Sequence, residues 1–161
     1  MQSGINGLAP ASRLCFTFFL IAVILGVIMA AGQHIMLTGL NCDKTAANYL
    51  GGEVGDMIQV EKPVQDMFRV AHVHLLGIGL VLFALCRVFI MVPISDRAKS
   101  AFIGAAFGLF FLQVGSPWLV RFVSARSAIL VIISGLLFSA ALVAMSTISL
   151  YHLWKSNPKK T

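Results

Sequence analysis

The sequence predicts an all-α membrane protein: an antiparallel four-helix transmembrane bundle with both termini cytoplasmic and one long outer loop between helices 1 and 2. Three observations lead to this fold class. Of the 161 residues, 58% are apolar and 11% are charged, whereas about 25% are charged in soluble domains. Four apolar runs reach the roughly 20 residues that a helix needs to cross the hydrocarbon layer. The basic residues collect on one side of these runs.

The predicted spans belong to a single transmembrane domain, and they cover about residues 14–36, 70–92, 101–123 and 128–154. The later connections are short, which makes neighbouring helices antiparallel. A cleavable signal peptide is the alternative for the first run, and we favour a retained span. The fourth span carries a stripe of small residues, namely Ser134, Gly135, Ser139, Ala140 and Ser146. Small residues let membrane helices approach closely, so we expect helix–helix contacts along this stripe.

The outer loop, residues 37–69, is the largest element outside the predicted spans. We expect a short helix over 43–50, capped by Asp43 and ended by Gly51. Residues 56–60 are then expected to form a short strand or an interfacial segment. A connection this long between two spans usually binds a ligand or contacts a partner.

The formal charge of +6 is distributed asymmetrically across the predicted membrane. With the N-terminus inside, the basic residues Arg13, Arg87, Arg97, Lys99, Lys155, Lys159 and Lys160 lie on the inner side. Asp96 is the single acidic residue there, and the charges of the outer side cancel. The positive-inside rule therefore places both termini in the cytoplasm, in a bacterial inner membrane. The basic charge reflects topology and attraction to anionic lipids, and it excludes a nucleic-acid partner.

Three histidines are predicted at similar depth near the outer face. His34 lies in the last turn of span one, and His72 and His74 lie in the first turns of span two. Ionisable residues inside membrane segments are costly and mark functional sites, and neutral imidazole suits haem iron or copper. Residues two apart point roughly 200° apart on a helix, so one of His72 and His74 faces the bundle. The alternative is that each is an interfacial histidine, bonded to backbone, water or lipid phosphate.

The histidines predict a cofactor site at the outer face. We expect His34, with His72 or His74, to hold a b-type haem or to line a quinone site. His34 and His74 are the predicted metal ligands. Glycines close to them in the sequence, Gly32, Gly77 and Gly79, leave room for a flat ring.

Two arginines, Arg121 and Arg126, lie on the outer side against the positive-inside trend and are further candidates for cofactor binding. Lipid phosphate, a haem propionate or the loop carboxylates Asp56, Glu61 and Asp66 would each pair with them. Nearby, Pro117 is expected to interrupt the third span, and neighbouring groups must then satisfy the freed carbonyl.

Sequence motifs for zinc binding, covalent haem attachment and common types of catalysis are missing. Cys15, Cys42 and Cys86 form neither a CxxC nor a CxxCH pattern, so neither a zinc ribbon nor covalent haem is indicated. The outer-side methionines raise a less favoured copper-handling function. No nucleophile–base pair, P-loop, GxGxxG turn or HExxH motif is found, so we do not expect the chain to be catalytic alone.

Residues 70–80 (VAHVHLLGIGL) and 116–128 (SPWLVRFVSARSA) are similar to parts of uncharacterised bacterial four-helix membrane proteins that accompany c-type cytochromes. The resemblance covers spans two to four and implies an association with respiratory or other electron-transfer machinery. The CxxCH motif of cytochrome-bearing members is missing, so a haem here would be non-covalent. The resemblance assigns no residue a role.

The leading hypothesis is a small integral-membrane subunit of a larger electron-transfer complex, holding a b-type haem or a quinone near the outer face. Its expected partners are other membrane subunits, an extracytoplasmic cytochrome and lipids. The alternative is a cofactor-free accessory subunit that packs against larger membrane subunits through its small-residue stripes.

Overall fold

The computed structural model describes residues 5–54 and 57–155. Within these residues, four helical segments are long and apolar enough to cross a membrane, which confirms the predicted all-α transmembrane fold. The second span is made of two helices joined by a π-helical turn, His74–Ile78. We number the helices α1 (Pro10–Thr38), α2 (Cys42–Leu50), α3 (Val64–Val73), α4 (Gly79–Ile90), α5 (Asp96–Phe122) and α6 (Ala128–Trp154). The turns Ile5–Gly7 and Ala125–Ser127 are 3-10 helical.

Contacts between distant parts of the chain define the two ends of the bundle. The indole N–H of Trp154, at the end of α6, donates to the hydroxyl of Thr17, near the start of α1, at 3.0 Å. The N–H of Ile5 donates to the carbonyl of Met91, just after α4, at 3.1 Å. The start of α1, the end of α6 and the α4–α5 connection therefore share one end, which we name the terminal end. The opposite end is the cap end.

The connection between α1 and α3 is a folded layer, and we name residues 39–54 and 57–63 the cap. Helix α1 ends at Gly39, whose φ of 58° is left-handed. The Asn41 side chain then caps α2 by accepting from the N–H of Asp43 at 2.8 Å and of Lys44 at 3.1 Å. The predicted cap at Asp43 is therefore wrong. Asn41 has the extended backbone that an N-cap needs, and Asp43 lies in the first turn, where its charge favours the helix dipole.

A two-stranded antiparallel hairpin follows α2, with strands β1 (Gly52–Val54) and β2 (Met57–Gln59). Glu53 is opposite Ile58 in this register. The hairpin includes the strand expected within 56–60. Gly51 ends α2 as expected, with a φ of 76°, and a Cβ there would lie 2.8 Å from the backbone nitrogen of Glu61. The chain therefore folds back closely on the end of α2.

The cap rests on the ends of α5 and α6. Ala46, Tyr49 and Leu50 of α2 pack against a buried cluster formed by Val120, Ala128 and Val131. Burial of this apolar surface holds the short α2 helix in place, since a nine-residue helix is marginal by itself.

The bundle is tightly packed at the terminal end and more open at the cap end. Helix α4 buries Leu82, Leu85, Cys86, Val88 and Phe89 in the main core. In the described part of α3, by contrast, Met67 is the only buried residue, and the π turn has none. The cap-side half of the second span therefore exposes most of its apolar surface.

Part of the small-residue stripe of α6 packs against other helices of the same chain. Ser134 and Ser146 are fully buried between helices, as expected for close packing. On α5, by contrast, a Cβ at Gly104 or Gly108 would meet nothing within 4 Å. A small-residue face of α5 therefore points away from the described chain.

The expected interruption at Pro117 is wrong, because α5 runs without a break from Asp96 to Phe122. Proline removes one helical hydrogen bond, the one that would end on the carbonyl of Gln113. The hydroxyl of Ser116 lies 3.5 Å from that carbonyl oxygen and donates to it. Because the freed carbonyl regains a donor, the helix continues through the proline.

We predict that Gly51→Ala destabilises the protein by about 1–3 kcal/mol, since its φ of 76° and ψ of 179° fall in a region that essentially only glycine adopts. The added Cβ would also meet the backbone of Glu61. The measurement is thermal unfolding of the detergent-solubilised protein. Gly32→Ala is the matched control, because its Cβ meets nothing within 4 Å and alanine favours a helix. Equal melting temperatures for the two variants would contradict this account of the cap.

Candidate binding site at the cap end

A cavity of about 90 Å³ lies at the cap end, where α3, the π turn and α5 meet beneath the cap. Its lining combines polar and apolar side chains in a bundle that is otherwise strongly apolar. The residues are Tyr49, Lys62, Met67, Val70, Ala71, His74, Gln113, Val114, Pro117 and Trp118. This is the place in the described chain where chemistry-bearing groups of three different segments come together.

Two helix irregularities line this cavity. The π turn starts at His74, and the proline of α5 is Pro117. Irregular backbone at membrane depth is tolerated where it is buried in protein or lines a cavity. Single π turns inside helices occur frequently at functional sites. The π turn and the proline therefore mark this cavity as different from the regularly packed part of the bundle.

His74 is held by its own helix. Its Nδ1 lies 2.9 Å from the carbonyl oxygen of Val70. A carbonyl can only accept, so Nδ1 carries the proton in this contact, and the neutral tautomer that fits the contact has its lone pair on Nε2. His74 thus brings one hydrogen-bond acceptor, or one metal-ligand atom, to the cavity wall.

Gln113 reaches the cavity from α5 and is fixed from α6. The hydroxyl of Ser134 donates to its Oε1 at 2.7 Å, and Ser134 is fully buried. A side-chain bond between two membrane helices is worth about 0.6 kcal/mol on average, so it orients more than it stabilises. The amide nitrogen of Gln113 remains as a donor.

Lys62 and Tyr49 bring a charge and a phenol from the cap. The Lys62 ammonium lies 5.4 Å from the centroid of the Tyr49 ring, within the range of a cation–π contact. The backbone N–H of Lys62 donates to the carbonyl of Tyr49 at 3.3 Å. Burial raises the pKa of the Tyr49 hydroxyl further above neutral pH, and the protonated phenol can both donate and accept a hydrogen bond.

Trp118 forms an aromatic wall of the cavity. Phe68 of α3 contacts it edge-on at 4.7 Å between ring centroids, and Phe122 stacks on it at 5.9 Å. These contacts hold the indole rigidly. Phe68 and Phe122 are themselves largely exposed, so the cavity adjoins an apolar outer surface.

The predicted histidines do not come together at this site. His74 lines the cavity, whereas His72 is exposed and is not among the lining residues. His34 lies on α1, which packs mainly against α6, and its Nε2 is 3.5 Å from the hydroxyl of Thr38. The question left open by the sequence, which of the two neighbouring histidines faces inward, is answered in favour of His74.

The two predicted arginines have different surroundings. Arg121 forms an ion pair with Glu61 of the cap, one of the partners expected from the sequence. Asp66 pairs instead with Arg69 at 3.0 Å, and Asp56 lies outside the described residues. Within residues 5–54 and 57–155, no carboxylate lies within ion-pair distance of the exposed side chain of Arg126.

No group of three or more histidine, cysteine or acidic side chains that could hold a metal ion is found in the part of the chain that the structure describes. The metal role predicted for His34 and His74 stays a prediction. The sequence did not single out Tyr49 and Lys62. Their only signal was position, at the end of the expected loop helix and beside Pro63 at the entry to the second span.

The four spanning helices and the folded cap define a helical integral membrane protein. Residues 39–160 match the Aq_1264_TM family, described as a transmembrane helical domain, and the chain belongs to this family. The match includes the cap and spans two to four, and it confirms the membrane part of the resemblance noted in the sequence. The link to c-type cytochromes stays a prediction. Among curated proteins and among solved structures, nothing matches the chain.

We predict that Arg121→Gln loosens the cap without unfolding the bundle. Glu61 is 55% exposed, so the pair contributes less than about 1 kcal/mol to global stability. Locally, however, it ties the cap to α5. Limited trypsin digestion in detergent should cut faster at Lys44 in this variant, whereas the bond after Lys62 is protected by Pro63. Arg126→Gln is the control and should leave the cutting rate unchanged, and equal rates for the two variants would refute the anchoring role.

Proposed function

We propose that this protein is an integral-membrane subunit of an electron-transfer complex and that the cavity at the cap end binds the headgroup of a quinone. One observation carries the proposal: His74, Gln113, Lys62 and Tyr49 line a single cavity in an apolar bundle. A quinone head is an apolar ring with two carbonyl oxygens and a lipid-soluble tail. Donors for the oxygens and apolar walls for the ring are both present in this lining.

The size of the cavity favours entry of one edge of the ring. A cavity that holds benzene has a volume of about 150 Å³, and this one encloses about 90 Å³. The surrounding cleft has about 490 Å³ of empty space, open solvent included. A carbonyl edge can therefore reach the polar groups while the ring lies beside Trp118. The exposed apolar surfaces of α3 and α5, such as Phe68 and Phe122, would contact the tail.

A b-type haem is the second candidate, and one observation favours it. The Nδ1–H bond of His74 to a backbone carbonyl is the arrangement that orients a metal-ligating imidazole. The enclosed volume of about 90 Å³ argues against it, because a macrocycle would have to enter whole, whereas a quinone can reach the polar groups with one edge. The iron lies at the centre of the macrocycle, so a ligating histidine needs room for rings on both sides. The side chains around the cavity do not leave that room.

The proposal includes an orientation and partners. The terminal end carries Arg87, Arg97, Lys99 and Lys155 among its described residues, and the positive-inside rule assigns such an end to the cytoplasm. In a bacterial inner membrane the cap then faces outward, where an extracytoplasmic cytochrome would dock. The open face at Gly104 and Gly108 suits close packing by a helix of another membrane subunit.

We predict that Cys42 is labelled from outside intact cells by a membrane-impermeant maleimide. Cys42 is exposed in the cap, whereas Cys15 and Cys86 lie within membrane-spanning helices. Cys42→Ser should abolish the labelling. Labelling that appears only after the cells are opened would reverse the orientation.

We predict that a short-chain quinone quenches the fluorescence of Trp118 saturably. The chain has two tryptophans, at opposite ends of the bundle, so each single-tryptophan variant is the control for the other. Trp154→Phe keeps the reporter in the cavity, and Trp118→Phe keeps the distant one. In phosphatidylcholine nanodiscs, the first should show saturable quenching and the second should not. His74→Ala in the first background should weaken binding about tenfold, the cost of losing one buried polar partner.

Equal, non-saturable quenching in both variants would refute a quinone site. An absorption spectrum of the same preparation tests the haem candidate. A Soret band that disappears in His74→Ala would favour haem at this position. Absence of both signals would favour the cofactor-free accessory subunit.

A further inference from the structure

Strand β2 and the residue after it expose two branched apolar side chains. Ile58 is 78% exposed and Val60 is 87% exposed. Successive side chains of an extended chain point to opposite sides, so Ile58 and Val60 lie on one side, which we name the hairpin face. Gln59, between them, points the other way, and its Oε1 is buried. The hairpin therefore turns a polar side chain toward the protein and apolar side chains away from it.

The hairpin face also carries one charge. Glu53 lies directly opposite Ile58 in the hairpin, and opposed residues share a face of a sheet. Its side chain is exposed as well. Hydrocarbon would exclude the carboxylate, and water does not favour the two branched side chains. The headgroup layer of a membrane accepts both, because apolar side chains can reach the acyl boundary there while charged groups stay hydrated.

The length of α5 places its last turn at the level of the headgroups. The helix begins at Asp96, and the last charged residue of its first turns is Lys99. A helix needs roughly 20 residues to cross the hydrocarbon layer, so a crossing that starts at Ala101 ends near Val120. Trp118 lies just inside this limit, where tryptophan is enriched in membrane helices.

Two constraints hold the hairpin at the same level. Glu61, the residue after Val60, forms an ion pair with Arg121 in the last turn of α5. Only four residues separate Val60 from Val64, the first residue of α3, and they can span at most roughly 14 Å. The hairpin therefore lies beside the ends of two spanning segments and cannot project far from the membrane.

The hairpin face continues an apolar surface that already faces lipid. Phe122 and Val123 follow Arg121 at the end of α5, and they are 61% and 73% exposed. Because Val60 precedes Glu61, the ion pair brings apolar neighbours of both segments to one level. The lipid-facing side of α5 and the hairpin face are thus joined at the membrane surface.

We propose that the hairpin face anchors the cap in the membrane interface, with Ile58 and Val60 at the headgroup–acyl boundary of the leaflet at the cap end. Its partner is a lipid surface. A protein that docks on the cap would then use the rest of this layer. The anchor goes beyond the proposed quinone function and does not depend on what the cavity binds.

The test places single tryptophans in the full chain after its own two are removed by Trp118→Phe and Trp154→Phe. Ile58→Trp and Val60→Trp report on the hairpin face. Cys42→Trp, at an exposed position of α2, is the matched control. Each variant is studied as one copy per nanodisc, in phosphatidylcholine whose acyl chains carry bromine at a shallow or a deep position. Iodide is the quencher in water.

Both hairpin reporters should be quenched more strongly by shallow than by deep bromines, at a depth of roughly 5–10 Å below the bilayer surface. They should also lose most of the iodide quenching that Cys42→Trp shows, and brominated lipid should leave that control unquenched. If Ile58→Trp does not fold, Val60→Trp decides.

Two results would overturn the anchor. Iodide quenching of the hairpin reporters, without quenching by brominated lipid, would place the face in water and leave it for a protein partner. Protection from both quenchers would show that the chain itself covers the face, since each nanodisc holds a single copy.

Discussion

Hydrocarbon cannot donate or accept a hydrogen bond, and this constraint governs where the backbone of this protein departs from a regular helix. The π turn at His74–Ile78 and the missing backbone hydrogen bond at Pro117 lie on neighbouring helices, and residues of both line the same cavity. At the proline, Ser116 serves the freed carbonyl of Gln113. Polar side chains of the π turn, α5 and the cap thus meet at this cavity.

The helices pack more densely at the terminal end than at the cap end. At the terminal end, residues such as Leu85 and Phe89 of α4 fill a continuous core. At the cap end, polar side chains take the place of apolar filler, so α3 contacts α5 over a small area only. The cap adds apolar contacts at this end, because α2 packs against Val120 and Val131. Along α3 itself, the contacts to the rest of the bundle include buried Met67 and the edge-on contact of Phe68 with Trp118.

The sequence predicts the fold well because its main signal, apolar length, is local. Four apolar runs and the side on which the basic residues lie do not depend on tertiary contacts. The site is predicted less completely. The choice of His74 over His72 depends on the rotational phase of the helix, which a π turn shifts and which no residue pattern announces. Likewise, the choice of Glu61 as the partner of Arg121 depends on how the cap folds over α5.

Tyr49 and Lys62 are cavity residues that the sequence did not predict. Each belongs to a loop whose conformation is determined by contacts distant in sequence, so composition could not assign either to a cavity that also contains Gln113. The capping residue Asn41 was missed because two polar residues stand close together, and backbone geometry chooses between them. Local patterns therefore locate the end of the bundle where polar side chains gather, and tertiary structure selects which of them meet.

The cap also controls the electrostatics of the cavity. Glu61 and Lys62 are neighbours, and without other partners their charges would largely cancel. The ion pair with Arg121 directs Glu61 toward α5, while Lys62 lies over the ring of Tyr49 at the cavity wall. The positive charge is thus separated from the adjacent negative one and lies at the wall of the cavity. A ligand oxygen with partial negative charge gains most from this arrangement, which links the anchoring of the cap to the chemistry of the cavity.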